Sequence, residues 1–305
     1  MNELLIVGSV ALDSVRTPFG EVKEALGGSA TYSSYSASFF APEVRLVGVV
    51  GEDFPKEHIG LLKGRGIQME GLQVAKGKTF RWAGAYEYDL NEAHTLATDL
   101  NVFETFKPKI PESYKKSPFV FLANIDPELQ LSVLDQVENP KLVACDTMNL
   151  WINLKPDVLK RVLKRVDFLF INDGEARQFA NTASLIKAGR LLQSWGPKYV
   201  VIKKGEHGAL LFGEKTFFAA PAFPLEEVYD PTGAGDTFAG GFFGYVAKNS
   251  GDITEPTLRR AVVFGTAMAS FTVEQFSLER LKTLTNDQLA GRVRMLKELS
   301  HFDQP

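Results

Sequence analysis

Residues Asp230 to Asp236 read DPTGAGD and run directly into the apolar stretch TFAGGFFGYV, which ends at Val246. Gly233, Ala234 and Gly235 carry little or no side chain, so at the opening of a helix their backbone N–H groups would lie bare, and the helix dipole adds partial positive charge there. Such a turn is an anion hole. Asp236 sharpens the reading, because a carboxylate beside an anion site is electrostatically misplaced unless it takes a proton from a nucleophile attacking that anion. Phosphoryl transfer to a hydroxyl needs this pair, with Asp236 as general base. The competing role for Asp236 is a helix cap, the commoner use of such an aspartate. Farther along, Gly240, Gly241 and Gly244 each cost about 1 kcal/mol relative to alanine inside a helix, a cost tolerated where two backbones pack closely.

The elements that must position this turn are legible as short apolar runs: LLIVGSV (4–10), VRLVGVV (44–50), FVFLANI (119–125), KLVACD (141–146), FLFIN (168–172) and KYVVIK (198–203). Runs apolar on both faces and separated by crossover lengths predict a mainly parallel sheet covered by helices, an α/β layered fold. Two segments depart from the pattern. In TFRWAGAYEY (79–88), Phe80, Trp82, Tyr86 and Tyr88 share one parity while Thr79, Arg81 and Glu87 take the other, which predicts a strand with one aromatic and one largely wet face. A polar turn, DLNEAH (89–94), leads to a return strand, and SVRTPFGEVKEAL (14–26) reads as a second hairpin around Pro18 and Gly20. Together these predict a small antiparallel sheet standing off the main one, its aromatic face covering a ligand or a partner.

The 305 residues fit one α/β domain, and 45% hydrophobic with 23% charged residues is ordinary for a globular protein. A net charge of −3 gives no basic footprint for nucleic acid, and no apolar run approaches the roughly 18–20 residues of a membrane span. Cys145 is the single cysteine, so no internal disulfide forms, and a cytoplasmic protein is the expectation. Apparent motifs elsewhere fail on spacing. The GKT within GLQVAKGKT has Leu72 where a P-loop needs its first glycine, and IVGSVAL lacks the GxxG of a dinucleotide fold. The four histidines are scattered and form no metal motif.

DPTGAGDTFAGGF closely resembles the C-terminal signature of the ribokinase family, the PfkB-type carbohydrate kinases, and the similarity extends over nearly the whole chain. The resemblance implies a ribokinase-like three-layer α/β/α sandwich, formed by residues 1–305 as one kinase domain with lid inserts at about 14–26 and 79–103. It implies an ATP- and Mg²⁺-dependent kinase acting on a sugar or nucleoside hydroxyl, with Asp236 as catalytic base and Gly233, Ala234 and Gly235 as anion hole. Asn172 and Glu175, in FINDGEA, match the family's NxxE element, which organises Mg²⁺ through water. Lys203, Gly205 and Gly208, in KKGEHGALLF, match a nucleotide-binding strand and turn. Asp230 and Thr232 stand where some members hold a monovalent cation, which makes potassium a candidate activator. Asp13 matches the aspartate that holds acceptor hydroxyls, and Gly27, Gly28 and Ser29 match the paired-glycine signature against the substrate. In some members lids pair, so a homodimer through the lid is a candidate assembly.

Departures from the family pattern bear on the acceptor. Ser29 and Tyr32 stand where ribokinases proper carry a lysine and an asparagine. DTMNLW (146–151) follows the DxNxR pattern only loosely, keeping Asp146 and Asn149 but ending in Trp151 instead of arginine. An acceptor that already bears a phosphate or carboxylate would want that arginine, so a neutral sugar or nucleoside is expected, and Tyr32 offers a ring that could stack on a base. Asn124 and Asp126 are further contact candidates, because ligands sit beyond the carboxyl ends of parallel strands. The competing readings are a non-catalytic nucleotide- or sugar-binding protein on this fold and a hydroxymethylpyrimidine-type kinase.

Overall fold

A computed structural model describes residues 2–91 and 93–301. Its strands are β1 (Glu3–Val7), β2 (Ala11–Thr17), β3 (Gly20–Gly27), β4 (Glu43–Gly51), β5 (Ile67–Ala75), β6 (Phe80–Tyr86), β7 (Ala93–Asp99), β8 (Phe119–Leu122), β9 (Leu142–Cys145), β10 (Phe168–Asn172), β11 (Tyr199–Lys203), β12 (Ala209–Phe212) and β13 (Phe217–Ala220). Its helices are α1 (Ser29–Ala37), α2 (Lys56–Gly64), α3 (Pro127–Leu134), α4 (Asn149–Leu154), α5 (Pro156–Leu163), α6 (Asp173–Phe179), α7 (Leu185–Ser194), α8 (Ala234–Lys248), α9 (Glu255–Thr272), α10 (Glu279–Lys282) and α11 (Asn286–Leu299).

Nine strands form one sheet in the order β13-β12-β11-β10-β9-β8-β1-β4-β5. Pairings from β11 to β5 are parallel, and β12 and β13 join antiparallel at one edge. Alternate side chains of the same strands enter two separate cores. Leu4, Ile6, Phe121 and Phe170 face α1, α8 and α9, whereas Leu5, Val7, Leu122 and Ile171 face α3, α5, α6 and α7. Burial on both faces is why these strands read as continuous apolar runs. No helix among the described residues is long and apolar enough to cross a membrane.

A second sheet, ordered β3-β2-β6-β7, stands on the carboxyl side of the first. It is built from two antiparallel hairpins joined through a parallel β2–β6 pairing. The expected aromatic face is not a single cover. Phe80 stacks on Phe103 at 5.2 Å between centroids, the Trp82 indole bonds to Thr95 Oγ1 at 3.2 Å, and Tyr88, in the turn, is 82% exposed. Nor is the other parity wet throughout, since Thr79 is buried with both its N–H and hydroxyl on Asp53. Arg81 pairs with Asp53 and Glu24, which ties the foot of this sheet to the main body. Glu92, in the β6–β7 turn, lies outside the described residues.

Helix α8 is held against α1 by the glycines noted above. A Cβ at Gly240 would fall 2.2 Å from the Ser33 carbonyl oxygen, and one at Gly244 would fall 2.8 Å from Ala37 Cα. The α1 serines complete the contact: Ser33 Oγ donates to the Asp236 carbonyl at 3.2 Å and Ser36 Oγ to that of Thr237 at 2.7 Å. Close backbone approach, bought by small residues on both helices, thus sets the height of the first turn of α8 relative to the sheet.

Candidate active site

Three adjacent strands end in polar residues at the same edge of the sheet. Asp146 follows β9, Asn172 closes β10 and Lys203 closes β11. Lys203 Nζ donates to Asp146 Oδ2 at 2.6 Å across the end of β10, with both side chains largely shielded. The ammonium also lies against the opening of α8, where a Cβ on Gly235 would fall 3.2 Å from Nζ. Burial works against its charge, but Asp146, Glu175 and Asp236 more than offset that and hold its pKa above the ordinary lysine value. The Lys203 ammonium adds positive charge at the N-terminus of α8, set against three surrounding carboxylates.

The turn before α8 leaves several backbone amides open. Gly233 takes the left-handed conformation at φ 75°, and a Cβ there would collide with the Tyr32 ring at 2.4 Å, so only glycine fits. The Ala234 N–H donates to Pro231 O at 3.2 Å and the Thr237 N–H to Gly233 O at 2.8 Å. Among the described residues this leaves the N–H groups of Gly233, Gly235 and Asp236 without a backbone acceptor. Of the expected 233–235 donors, Ala234 thus has its amide engaged inside the turn, while the Asp236 amide, not among them, is open. Tyr32 is 2% exposed and backs this turn, so its ring is not a free stacking face.

Asp236 sits in the first turn of α8, half-buried, with no side-chain hydrogen bond to any described residue. Burial pushes its carboxyl up to about 7, the Asp146 charge adds to this, and Lys203 pulls it back. Asp13, on β2, lies across Gly27, where a Cβ would fall 1.9 Å from its Oδ2. Its carboxyl is likewise raised to about 7, by burial first, with the Gly28 amide opposing and Asp230 and Asp236 contributing repulsion. Gly28, at φ 96°, would drive a Cβ to 2.5 Å from Ser9 O. Asp13, Gly27, Gly28, the 233–236 turn and Tyr86 thus converge. Thr232 Oγ1 donates to the Tyr86 hydroxyl at 3.2 Å, so β6 of the smaller sheet reaches this turn.

Other expected residues fall differently. Ser29 is stapled to Ser9 through reciprocal amide–hydroxyl bonds and donates to the Asn124 carbonyl at 3.1 Å, so its hydroxyl is used internally and is not offered to a substrate. Asp126 caps α3 through the Glu128 amide at 2.9 Å and pairs with Lys155 at 2.7 Å, which likewise commits it to structure. Asn124 lies at the end of β8, its Oδ1 accepting from the Trp151 indole at 3.0 Å. Asn172 and Glu175 form a reciprocal capping box on α6, at 2.7 and 2.9 Å. The Glu175 carboxyl is pushed up to about 7, mainly by burial, with Lys203 opposing and Asp146 and Asp236 reinforcing. Its Oε1 has no partner among the described residues, and no group of three or more His, Cys, Asp or Glu side chains that could hold a metal occurs among them. Gly205 and Gly208, at φ 53° and 83°, shape the turn between β11 and β12, and Asn91 of the smaller sheet packs on Gly205. Asp230 is buried, accepting from the Thr232 and Ser277 amides at 2.9 and 3.1 Å.

Two residues that matter here escaped sequence reasoning. Asp146 was placed only in a loose motif and Tyr86 only in an aromatic face. A charge that abruptly ends an apolar strand, as in LVAC-D and YVVI-K, is the available signal, because it sets both groups at one sheet edge.

A family model described as pfkB family carbohydrate kinase matches residues 1–283. The cytidine kinase of Thermococcus kodakarensis is 33% identical over 248 residues, covering 79% of this chain and 87% of the relative. The nucleoside kinase of Methanocaldococcus jannaschii is 23% identical over 288 residues, covering 90% and 91%. Among solved structures, a putative ribokinase II from E. coli superposes with a TM-score of 0.81 at 17% identity, over 97% of this chain and 100% of that one. A Burkholderia thailandensis nucleoside kinase in complex with inosine gives 0.74 at 18%, over 96% of each. With the family signature spanning the sheet, the turn before α8 and the lid-like second sheet, the chain belongs to the pfkB family of carbohydrate kinases, ATP-using phosphotransferases with an alcohol group as acceptor.

Proposed function

We propose that the protein is a nucleoside kinase that transfers the γ-phosphoryl of ATP to a hydroxyl of its acceptor. The observation that carries this is the Asp236 carboxylate, which has no side-chain partner among the described residues, beside the Gly233, Gly235 and Asp236 amides, which have no backbone acceptor among them, with the Lys203 ammonium against the same turn. Asp13 binds and orients the acceptor's hydroxyls. Asp236 accepts the proton of the attacking hydroxyl; a carboxyl held near 7 is a stronger base than an ordinary aspartate yet remains substantially ionised at neutral pH. The amides and Lys203 stabilise the charge on the phosphoryl oxygens in flight. Glu175 would hold the Mg²⁺ through water, and that ion supplies charge neutralisation along the phosphates when bound. Gly205 and Gly208 shape the floor under the nucleotide.

Three features favour a nucleoside over other acceptors. Relatives matched over most of the chain are named cytidine and nucleoside kinases. Lys155, bound to Asp126 and Glu128, is not offered as a free cation to an anionic acceptor. The arginine of the family motif is replaced by Trp151. Asp230, buried without a cationic partner among the described residues, fits a monovalent cation behind the turn, and potassium is the candidate. The lid's outer strand β7 exposes Leu96, a candidate contact in a lid-to-lid homodimer.

A coupled assay of ADP release over cytidine, uridine, inosine, adenosine, ribose and fructose tests the acceptor class. Turnover of one or more nucleosides at kcat/KM at least tenfold above either sugar is expected. A free sugar as the best acceptor would refute the nucleoside reading, and ATP binding without turnover of any acceptor would refute catalysis.

A further inference from the structure

The six-residue segment from Asp146 to Trp151 leaves the end of β9 and serves both halves of the site: its first residue holds Lys203, and its last holds Asn124. The second contact has a chemical direction. An indole N–H can only donate, so the atom it meets on the Asn124 carboxamide must be the oxygen. That fixes the amide's orientation, and the NH₂ group is left on the opposite side with no partner among the described residues. The backbone carbonyl of Asn124 is fixed as well, by Ser29 Oγ, the residue that follows the paired glycines Gly27 and Gly28. Asn124 thus stands at the carboxyl end of β8, next to β1, with its backbone and carboxamide oxygen both held. A free asparagine could present either a carbonyl or an amine to a ligand; this one has been given a single polarity.

We propose that Trp151 is a positioning residue for acceptor specificity: by taking the Asn124 oxygen, its indole N–H presents the Asn124 NH₂ as a fixed hydrogen-bond donor to the acceptor. This rests on the nucleoside-kinase reading and goes beyond it. The acceptor group matched to this donor is one with an exposed lone pair, such as the carbonyl or ring nitrogen of a base. Asn124 is half-buried, and a donor fixed to meet such an atom and covered by the bound acceptor penalises analogues that cannot pair with it, which is how hydrogen-bonding sites discriminate strongly. The replacement of a cationic arginine by tryptophan then has a function, namely exchange of a charge contact for a neutral, oriented one.

The test is a double-mutant cycle on the full-length protein with cytidine and MgATP, comparing wild type, Trp151→Phe, Asn124→Ala and the pair. Trp151→Phe keeps the ring's bulk and deletes the N–H. Freed to rotate, Asn124 then loses its preset donor, and KM for cytidine is expected to rise roughly tenfold with kcat changed less than about twofold and KM for ATP unmoved. On the Asn124→Ala background, Trp151→Phe is expected to add nothing, because its effect runs through the amide. Additive losses, or an unchanged KM in Trp151→Phe, overturn the proposal. Should Trp151→Phe melt early, Asn124→Asp decides: it offers lone pairs where the NH₂ stood and is expected to be worse than Asn124→Ala, whereas near-wild-type KM refutes the idea. If the wild type phosphorylates a sugar and no nucleoside, the nucleoside reading falls on its own, and the same cycle is read on that sugar.

Discussion

Replacing Asp236 by asparagine separates catalysis from stability, and the two should move in opposite directions. Asparagine keeps the side chain's size and its place in the first turn of α8, but it cannot take a proton. A general base is worth about 10²–10⁴ in rate, so kcat should fall by that factor, with the affinity for ATP little changed. The stability effect follows from linkage. The Asp236 carboxyl is raised from the ordinary aspartate value of 3.8 to about 7 in the fold, chiefly by burial and by the neighbouring Asp146. A group raised in this way contributes stability that is complete below the unfolded pKa and is lost as pH climbs through the folded one, here a window of roughly 4 to 7. At 1.36 kcal/mol per pKa unit the ceiling is about 4 kcal/mol at pH 8. Solvent access at the mouth of the site and the loss of one of Lys203's three carboxylate neighbours both reduce it, to about 2 kcal/mol. Thermal melts of the ligand-free proteins at pH 5 and pH 8 measure this directly. Asp236→Asn should match wild type within a degree or so at pH 5 and exceed it by several degrees at pH 8. Near-normal turnover in the variant would remove Asp236 from the base role, and a melting difference that does not grow with pH would refute the account of its buried charge.

Two further substitutions probe the surroundings of this carboxylate. Lys203→Met deletes the cation that pulls the Asp236 carboxyl down, so the acidic limb of the kcat–pH profile should move to higher pH while kcat at its plateau falls by about 10²-fold or more; an unmoved limb argues against the coupling. Gly240→Ala places a Cβ 2.2 Å from the Ser33 carbonyl in a packed helix pair, so despite alanine's better helix propensity it should destabilise by about 1–3 kcal/mol in urea melts. A stabilised variant would show that α1 and α8 are not held at that distance by the glycine.

The layered fold was legible because burial on both faces writes a strand as an unbroken apolar run, and the six runs identified correspond to β1, β4, β8, β9, β10 and β11. The hairpins of the smaller sheet were legible from period-2 patterning and turn residues. What the pattern could not carry was depth and partnership. Thr79 looks like a solvent-facing residue until Asp53, distant in sequence, is seen to satisfy its hydroxyl and amide. Ser29 and Asp126 stand at the expected places, yet local hydrogen bonds and Lys155 have already used them. Periodicity reports which way a side chain points along its own element; it does not report which polar group from another element meets it there.

The same limit explains why the Asp146–Lys203 pair was not read in advance although both residues end apolar strands. Each alone is an ordinary strand-terminating charge, and only the sheet order, which inserts β10 between them, brings them to 2.6 Å across the end of that strand. A buried pair of this kind is poor evidence for stability, since desolvation consumes much of the Coulomb gain. Its value lies elsewhere, in holding an ammonium ready at the N-terminus of α8, where the helix dipole and free amides already favour an anion. The glycines of α8 and the serines of α1 set where that N-terminus sits, so the packing of two helices and the ends of three strands together determine the electrostatics at Asp236.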